Sequence, residues 1–252
     1  MPQDRGELCI LVILQVLQYP VLAMTHEQFR AGRLKAALTQ VQAARRLGVS
    51  QPYLSQLEKG ERPVRPELAR AAAALYRLPA TALPIPDAVP EEVRADPDKL
   101  ARQLAGLGYP GFAHLRGSKA NPAVVVLEAL VQDDLEVRLA EALPWVVLTY
   151  PDLDWSWLMQ KAKLRDVQNR LGFVVAMAAG LAATRLHFQP ALERLSSVEQ
   201  ALERARLARE DTLCRESMPP AERSWLATAR SPLARHWNLV TGLTADQLSY
   251  AA

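Results

Sequence analysis

A chain of 252 residues, half of them apolar and 23% charged, is long enough to bury two modest cores and too apolar to be a disordered tail. Its formal net charge of +3 excludes a polycation that coats nucleic acid along its whole length. Cys9 and Cys214 lie too far apart to suggest a disulfide framework, and His26, His114, His187 and His236 have no metal-ligand spacing. Without a glycine-rich phosphate loop, a Gly-x-Ser-x-Gly elbow or a repeat, neither catalysis nor a cofactor is expected, and the setting is expected to be a reducing cytoplasm.

The first segment, residues 1–23, is strongly apolar from Leu8 onward. It follows Asp4, Arg5 and Glu7 with no basic excess, is interrupted by Gln15, Gln18 and Pro20, and is too short for a bilayer core of about 30 Å, so no stable membrane association is expected. Because Met24 opens directly into the helix-like Thr-His-Glu-Gln-Phe, residues 1–23 read as a start assigned upstream of the working protein.

Residues 24–83 are expected to form a five-helix domain. At its centre, Thr39 and Ser50 each precede a run with helical apolar spacing, and each can accept a hydrogen bond from an unpaired amide of a first turn. Gly48 follows the first of these helices, where a positive φ costs least, and Val49 supplies an apolar plug for the corner. Ala44 leaves room for a close crossing, and Val49, Leu54 and Leu57 give the second helix a buried edge. Its other face carries Gln51, Tyr53, Ser55 and Gln56, which can hydrogen-bond base edges or phosphates. Pro66 to Arg77 follows as a helix with Leu68, Ala72 and Leu75 on one face, and Pro79 to Leu83 as a last short turn.

Charge is concentrated in the same region. Residues 26–79 hold ten Lys or Arg against four acids, a balance of +6, so the remainder of the chain is −3. Lys59, Arg62 and Arg65, just past the second helix, are placed to contact phosphates, which position a protein without reading sequence. Arg45 and Arg46 read equally well as solvated surface.

The run from Leu38 to Gly60 resembles, without gaps, the helix-turn-helix of the lambda-repressor and Cro type, the XRE family, and a looser resemblance extends from Phe29 to Leu83. The resemblance implies binding to double-stranded DNA, with Gln40 contacting a phosphate and bracing Gln51, the leading base reader. An amide of this kind suits adenine in the major groove, where a good bidentate pair is worth about 1–3 kcal/mol of discrimination. Gln56, one turn on, is the second reader. The DNA-facing set is thus Thr39, Gln40, Ser50, Gln51, Pro52, Tyr53, Ser55, Gln56, Lys59, Arg62 and Arg65. Glu58 is expected to pair with a nearby base-type side chain instead of meeting DNA, and Tyr53 either to stack on a sugar or to pack inward. Two residues depart from the family pattern: Pro52 has no polar side chain, and Gly32 stands where an aliphatic residue is common.

Pro84, Pro86, Pro90 and Pro97, interleaved with acids, read as an extended linker over 84–98. Residues 99–252 are then expected to be all-helical. Asn121 can cap a helix that has Pro122 at its first position and runs on through Leu143; Pro151 ends the following stretch and Asp154 caps the next helix. Trp145, Trp155 and Trp157 read as core, or alternatively as an exposed patch that docks a partner. Lys161 to Arg185 is read as one helix whose Asp166 and Asn169, beside a long apolar run, suggest a hydrogen-bonded interface or a small pocket, and Gln189 to Arg209 as an amphipathic helix.

The whole is an all-α protein, expected to be a cytoplasmic, sequence-specific transcriptional regulator. A repressor is the expected type, acting as a homodimer whose two recognition helices meet half-sites about 34 Å apart. The alternative is an antitoxin-like protein whose C-terminal helices bind a partner protein while the N-terminal domain regulates its own promoter. A third reading gives the C-terminal region a small-molecule effector.

Overall fold

The computed structural model describes residues 24–85 and 96–248. The expected N-terminal extension and most of the expected linker lie outside the described residues. Two compact units divide the chain at Ala88 and Val89. Among the described residues there are twelve α-helices and one two-stranded parallel pair.

The first unit contains α1 (His26–Lys35), α2 (Gln40–Leu47), α3 (Gln51–Glu58) and α4 (Pro66–Leu75), then one 3-10 turn at Ala80–Ala82. Three of the four helix starts are set by a hydroxyl at the cap. Thr25, Thr39 and Ser50 accept from the amides of Gln28, Gln42 and Tyr53 at 3.1, 3.2 and 3.3 Å. At the first two, the glutamine side chain returns a bond to the cap's own amide, completing a capping box. α4 instead opens on Pro66. It stops at Leu75, short of the expected Arg77, because Arg77 sits at φ +54°, which a helix cannot contain. The fifth helix expected from the sequence is the 3-10 turn alone.

Gly48 does close α2 in the left-handed region, at φ +70°, and its amide bonds back to Ala44 and Arg45. Phe29, Ala43, Ala44, Leu54, Leu57, Ala69, Ala72 and Tyr76 form the core, with Val49 packed against it and Phe29 edge-on to Tyr76 at 5.7 Å. The departure at Gly32 is explained here. A Cβ at that position would lie 2.9 Å from Leu78 and 3.1 Å from Tyr76, so these two side chains occupy the space of the missing aliphatic one.

The second unit contains α5 (Pro97–Leu107), α6 (Pro122–Leu130), α7 (Val137–Thr149), α8 (Trp155–Leu164), α9 (Gln168–Thr184), α10 (Leu192–Glu203), α11 (Pro220–Ala229) and α12 (Pro232–His236). β1 (Asp211–Thr212) pairs in parallel with β2 (Leu239–Val240). α9 is buried along nearly its whole length and packs against α7, α8 and α10. Its Gly172 lies against the Trp237 ring, where no Cβ would fit.

Three expected helices are divided or shortened. The run from Pro122 to Leu143 breaks after α6 because the intervening backbone pairs elsewhere: Leu135 donates to the Cys214 carbonyl at 2.8 Å, and Glu216 donates to that of Asp133 at 2.9 Å. α7 then continues through Pro144, whose nitrogen cannot donate to the Ala140 carbonyl. Lys161 to Arg185 is two helices, α8 and α9, parted where Asp166 adopts φ +56°. Of the expected amphipathic helix from Gln189 to Arg209, only α10 is α-helical, and a 3-10 stretch over Leu186–Ala191 precedes it.

The caps at Asn121 and Asp154 are as expected, accepting from the amides of Ala123 and Trp157 at 3.0 Å each. A polar knot joins α9 to the loops. Arg170 donates to Asp211 at 2.7 and 2.8 Å, to Glu216 at 3.3 Å, and to the carbonyls of Leu130 and Gln132 at 3.0 and 2.9 Å.

Candidate nucleic-acid interface

The caps at Thr39 and Ser50 set α2 and α3 at a crossing that brings Gln40 and Gln51, the first residues of the two helices, together. Gln51 Nε2 donates to Gln40 Oε1 at 2.7 Å. Gln40 Nε2 in turn donates to Glu58 Oε2 at 2.9 Å. Glu58 accepts two further bonds from Arg33, at 2.5 Å from Nε and 2.9 Å from Nη2, while Arg33 Nη1 reaches the Leu38 carbonyl at 2.7 Å. A single chain of hydrogen bonds therefore runs from a buried ion pair to the tip of α3. The side chains of Arg33 and Glu58 are only 8% and 3% exposed.

Burial alone would raise the Glu58 carboxyl, but the hydrogen bonds from Arg33 and Gln40 outweigh it and hold the group below the ordinary carboxylate range. The hydrogen bond to Glu58 likewise holds Arg33 above its ordinary value. Tyr76, in the same core, is pushed up to about 12 by burial and by the Glu58 charge, and stays neutral. Since Glu58 titrates lower in the folded state than in the unfolded chain, its contribution to stability is complete above the unfolded value of about 4.3 and is lost as pH falls through the folded one. Acid titration of the full chain, followed by amide exchange in α1 to α3, is expected to show protection level at neutral pH and falling below about pH 4. In Glu58→Gln the fall should be shallower.

The remaining sequence-derived candidates lie around this chain. Thr39 and Ser50 are exposed, with their oxygens turned to the backbone amides they cap. Pro52 is exposed; Gln51, Ser55 and Gln56 are half-buried. Tyr53 packs partly inward against the core while the Arg62 guanidinium lies 5.9 Å from its ring centre. Arg62 and Arg65 are exposed, as is Lys59, which stands 3.9 Å from Glu61. Arg45 and Arg46 are exposed in the last turn of α2, where cations offset the negative helix end.

Glu58 pairs with a cation, as expected, but the partner is Arg33 of α1, twenty-five residues away. Arg33, one of the ten bases of residues 26–79, is therefore interior and not part of the basic surface. Its withdrawal together with Glu58 removes one charge of each sign and leaves the local balance unchanged. No local spacing could have identified this pair, because it depends on how α1 crosses α3.

In the second unit, the candidates for a partner surface do not share one face. Trp145 is buried against Tyr109 and Tyr150, with ring centres 5.4 and 6.4 Å away, and Trp155 is buried with its indole nitrogen donating to the Pro151 carbonyl at 2.9 Å. These two positions are core. Trp157 is half-buried. Asn169 is also interior: its amide clamps Leu207, donating to the carbonyl at 2.9 Å and accepting from the amide nitrogen at 2.8 Å. Asp166 is exposed and lines a charged cleft of about 370 Å³ with Asp133, Arg165, Arg170, Arg209, Asp211 and Glu216.

Residues 27–84 match a family model described as a helix-turn-helix domain. The match lies within the first unit and agrees with the XRE-type pattern of α2 and α3. No curated protein and no solved structure matches the chain. Among the described residues no helix is long and apolar enough to cross a membrane. The first unit is a DNA-binding type of domain, and transcriptional regulation is the coarse function it carries.

Proposed function

We propose that the chain is a cytoplasmic repressor that recognises operator DNA as a homodimer, through α3, and that it works by binding and not by catalysis. The observation that supports this most directly is Gln51, held at the head of α3 by the 2.7 Å bond from its amide nitrogen to Gln40. An amide held in this way has lost much of the rotamer entropy that reading a base would cost, and it presents an acceptor and a second donor to the groove. The exposed Arg62 and Arg65 next to α3 supply sequence-independent contacts to the phosphates. A single short recognition helix reaches few base pairs, so two copies on adjacent half-sites are needed for operator selectivity.

Fluorescence anisotropy of the full chain with the DNA upstream of its own gene and with a scrambled duplex, each over a salt series, tests the proposal. Selective binding with a steep salt dependence is expected; equal weak binding to both would refute it for that promoter. Gln51→Ala should lower the preference for operator over scrambled DNA by about 1–3 kcal/mol, or about 5- to 150-fold, as expected when one bidentate base contact is lost. Arg62→Ala should weaken binding to every duplex alike and reduce the slope of log affinity against log salt by about one unit. An unaltered slope would remove Arg62 from the interface.

A further inference from the structure

We infer that the second unit holds a binding site for a small lipophilic amine, a molecule with a compact apolar body and one ammonium group. The site is built entirely from residues of the second unit, so it stands or falls separately from DNA reading by α3.

Two adjoining hollows carry the argument. The first, of about 230 Å³, is walled by Val137 and Ala140 of α7, Leu226 of α11, Val240 of β2, and by Met218 and Leu243. Met218, Leu226 and Val240 form a small apolar cluster of their own. Leu226 is the only buried residue of α11, while Val137 is left 59% exposed. α11 is fastened near its two ends by ion pairs: Glu222 accepts from Arg215 at 2.6 and 3.1 Å, and Arg230 at its C-cap lies 3.0 Å from Glu210. The helix thus walls the apolar hollow without filling it. A dry cavity of about 150 Å³ takes up benzene, so this one has room for a single ring or a short branched chain.

The second hollow, of about 270 Å³, shares Leu135 and Arg215 with the first and adds Asp134, Glu136 and Ser217 to its lining. These groups fix the sign of the ligand's charge. Arg215 is the one cation in either lining, and its guanidinium is already engaged by Glu222. Asp134 accepts from the amide and hydroxyl of Ser217 at 2.9 and 2.6 Å, bonds that stabilise the anion without neutralising it. The Glu136 side chain caps no amide of α7. Asp134, Glu136 and Glu222 therefore set three carboxylates against one guanidinium. A ligand carboxylate would enter against that excess, whereas an ammonium is drawn to it. Because Asp134 and Glu136 are exposed, they select the charge, and burial of the apolar body supplies most of the affinity.

The experiment is a methyl-resolved NMR titration of the full chain with three probes of similar shape: phenethylamine, phenethyl alcohol and phenylacetate. Phenethylamine should shift the methyl signals of Met218, Leu226, Val240 and Leu243, bind more tightly than the alcohol, and leave phenylacetate the weakest. Two variants locate the site. Gly242 lines the first hollow outside the left-handed region, and a Cβ there would stand 3.4 Å from Leu226. Gly242→Leu therefore fills the space and should weaken the amine and the alcohol about tenfold or more, the loss expected when a ring can no longer be buried. Thermal melting reports whether this variant folds. Glu136→Gln alters only an exposed side chain, so it tests the inference even if Gly242→Leu does not fold. It should cut the advantage of the amine over the alcohol about two- to fivefold, as for an exposed ion pair, and leave the alcohol unchanged. Absence of shifts at these methyls, or alcohol or phenylacetate binding as tightly as the amine, would overturn the inference. So would undiminished binding to folded Gly242→Leu, or an amine advantage that Glu136→Gln leaves whole.

Discussion

Arg33→Ala is expected to destabilise the first unit by about 3–5 kcal/mol, the usual cost of leaving one member of a buried ion pair without the other. Glu58 would remain in the core, 3% exposed, with only the Gln40 amide as a partner, and the Leu38 carbonyl would lose its guanidinium donor. A domain this small has a total stability toward the lower end of about 5–15 kcal/mol, so the substitution takes away most of it. Urea titration of the full chain, read by amide exchange in α1 to α3, measures the loss. The pH dependence carries a sharper signature. In wild type Glu58 titrates low and stabilises the fold as the anion, so acid weakens the unit. Without Arg33, burial is no longer outweighed, the folded carboxyl moves above its unfolded value, and acid relieves the buried charge. The gap between wild type and variant should therefore narrow as pH falls from 7 toward about 4. A gap that widened, or a loss below about 1 kcal/mol, would show that the pair is better solvated than its burial implies.

A loss of similar size, about 3–5 kcal/mol, is expected in the second unit for Arg170→Ala. Arg170 is 7% exposed at its side chain and ties α9 to two separate loops. Burial works against its charge, and the hydrogen bonds and charges of Asp211 and Glu216 outweigh that cost, so it remains a cation. Removing it leaves the Asp211 carboxylate without its bidentate partner and the carbonyls of Leu130 and Gln132 without the guanidinium donor they share. The lost protection should appear first in α6 and α9, measured by amide exchange. Asp211, too, is held below the ordinary carboxylate range, burial opposing and the Arg170 hydrogen bond prevailing, so the knot contributes fully at neutral pH and is lost as pH falls through the depressed value. Lysine at 170 should recover little, because a point charge cannot reproduce the forked contact to Asp211 and also reach both carbonyls.

The features legible from the sequence are those set within a few residues along the chain. Thr39, Ser50, Asn121 and Asp154 were readable as caps because a short polar side chain meets an amide two or three residues ahead of it, whatever the rest of the fold does. Gly48 was readable as the turn because few other residues accept its backbone angle. The two helices of the motif and their apolar edges follow from this local order, whereas the bracing of Gln51 by Gln40 was implied by the family resemblance alone. The helix breaks in the second unit were not legible in the same way. Asp166 and Arg77 take left-handed angles without being glycine, and the amides after α6 leave the helix for partners near Cys214.

By itself, then, the sequence determined the helix-turn-helix unit, its caps, its turn and the glutamine at the head of α3, because hydrogen bonds spanning two or three residues and a narrow apolar edge suffice to specify them. Only the tertiary structure decided what anchors the Gln40 brace behind that glutamine and what holds the second unit together. Arg33 meets Glu58 across twenty-five residues, and Arg170 meets Asp211 across forty-one. Pairs so far apart leave no periodic trace in the sequence. They form only where packing brings two segments together and withdraws both charges from water, which makes each partner costly to remove.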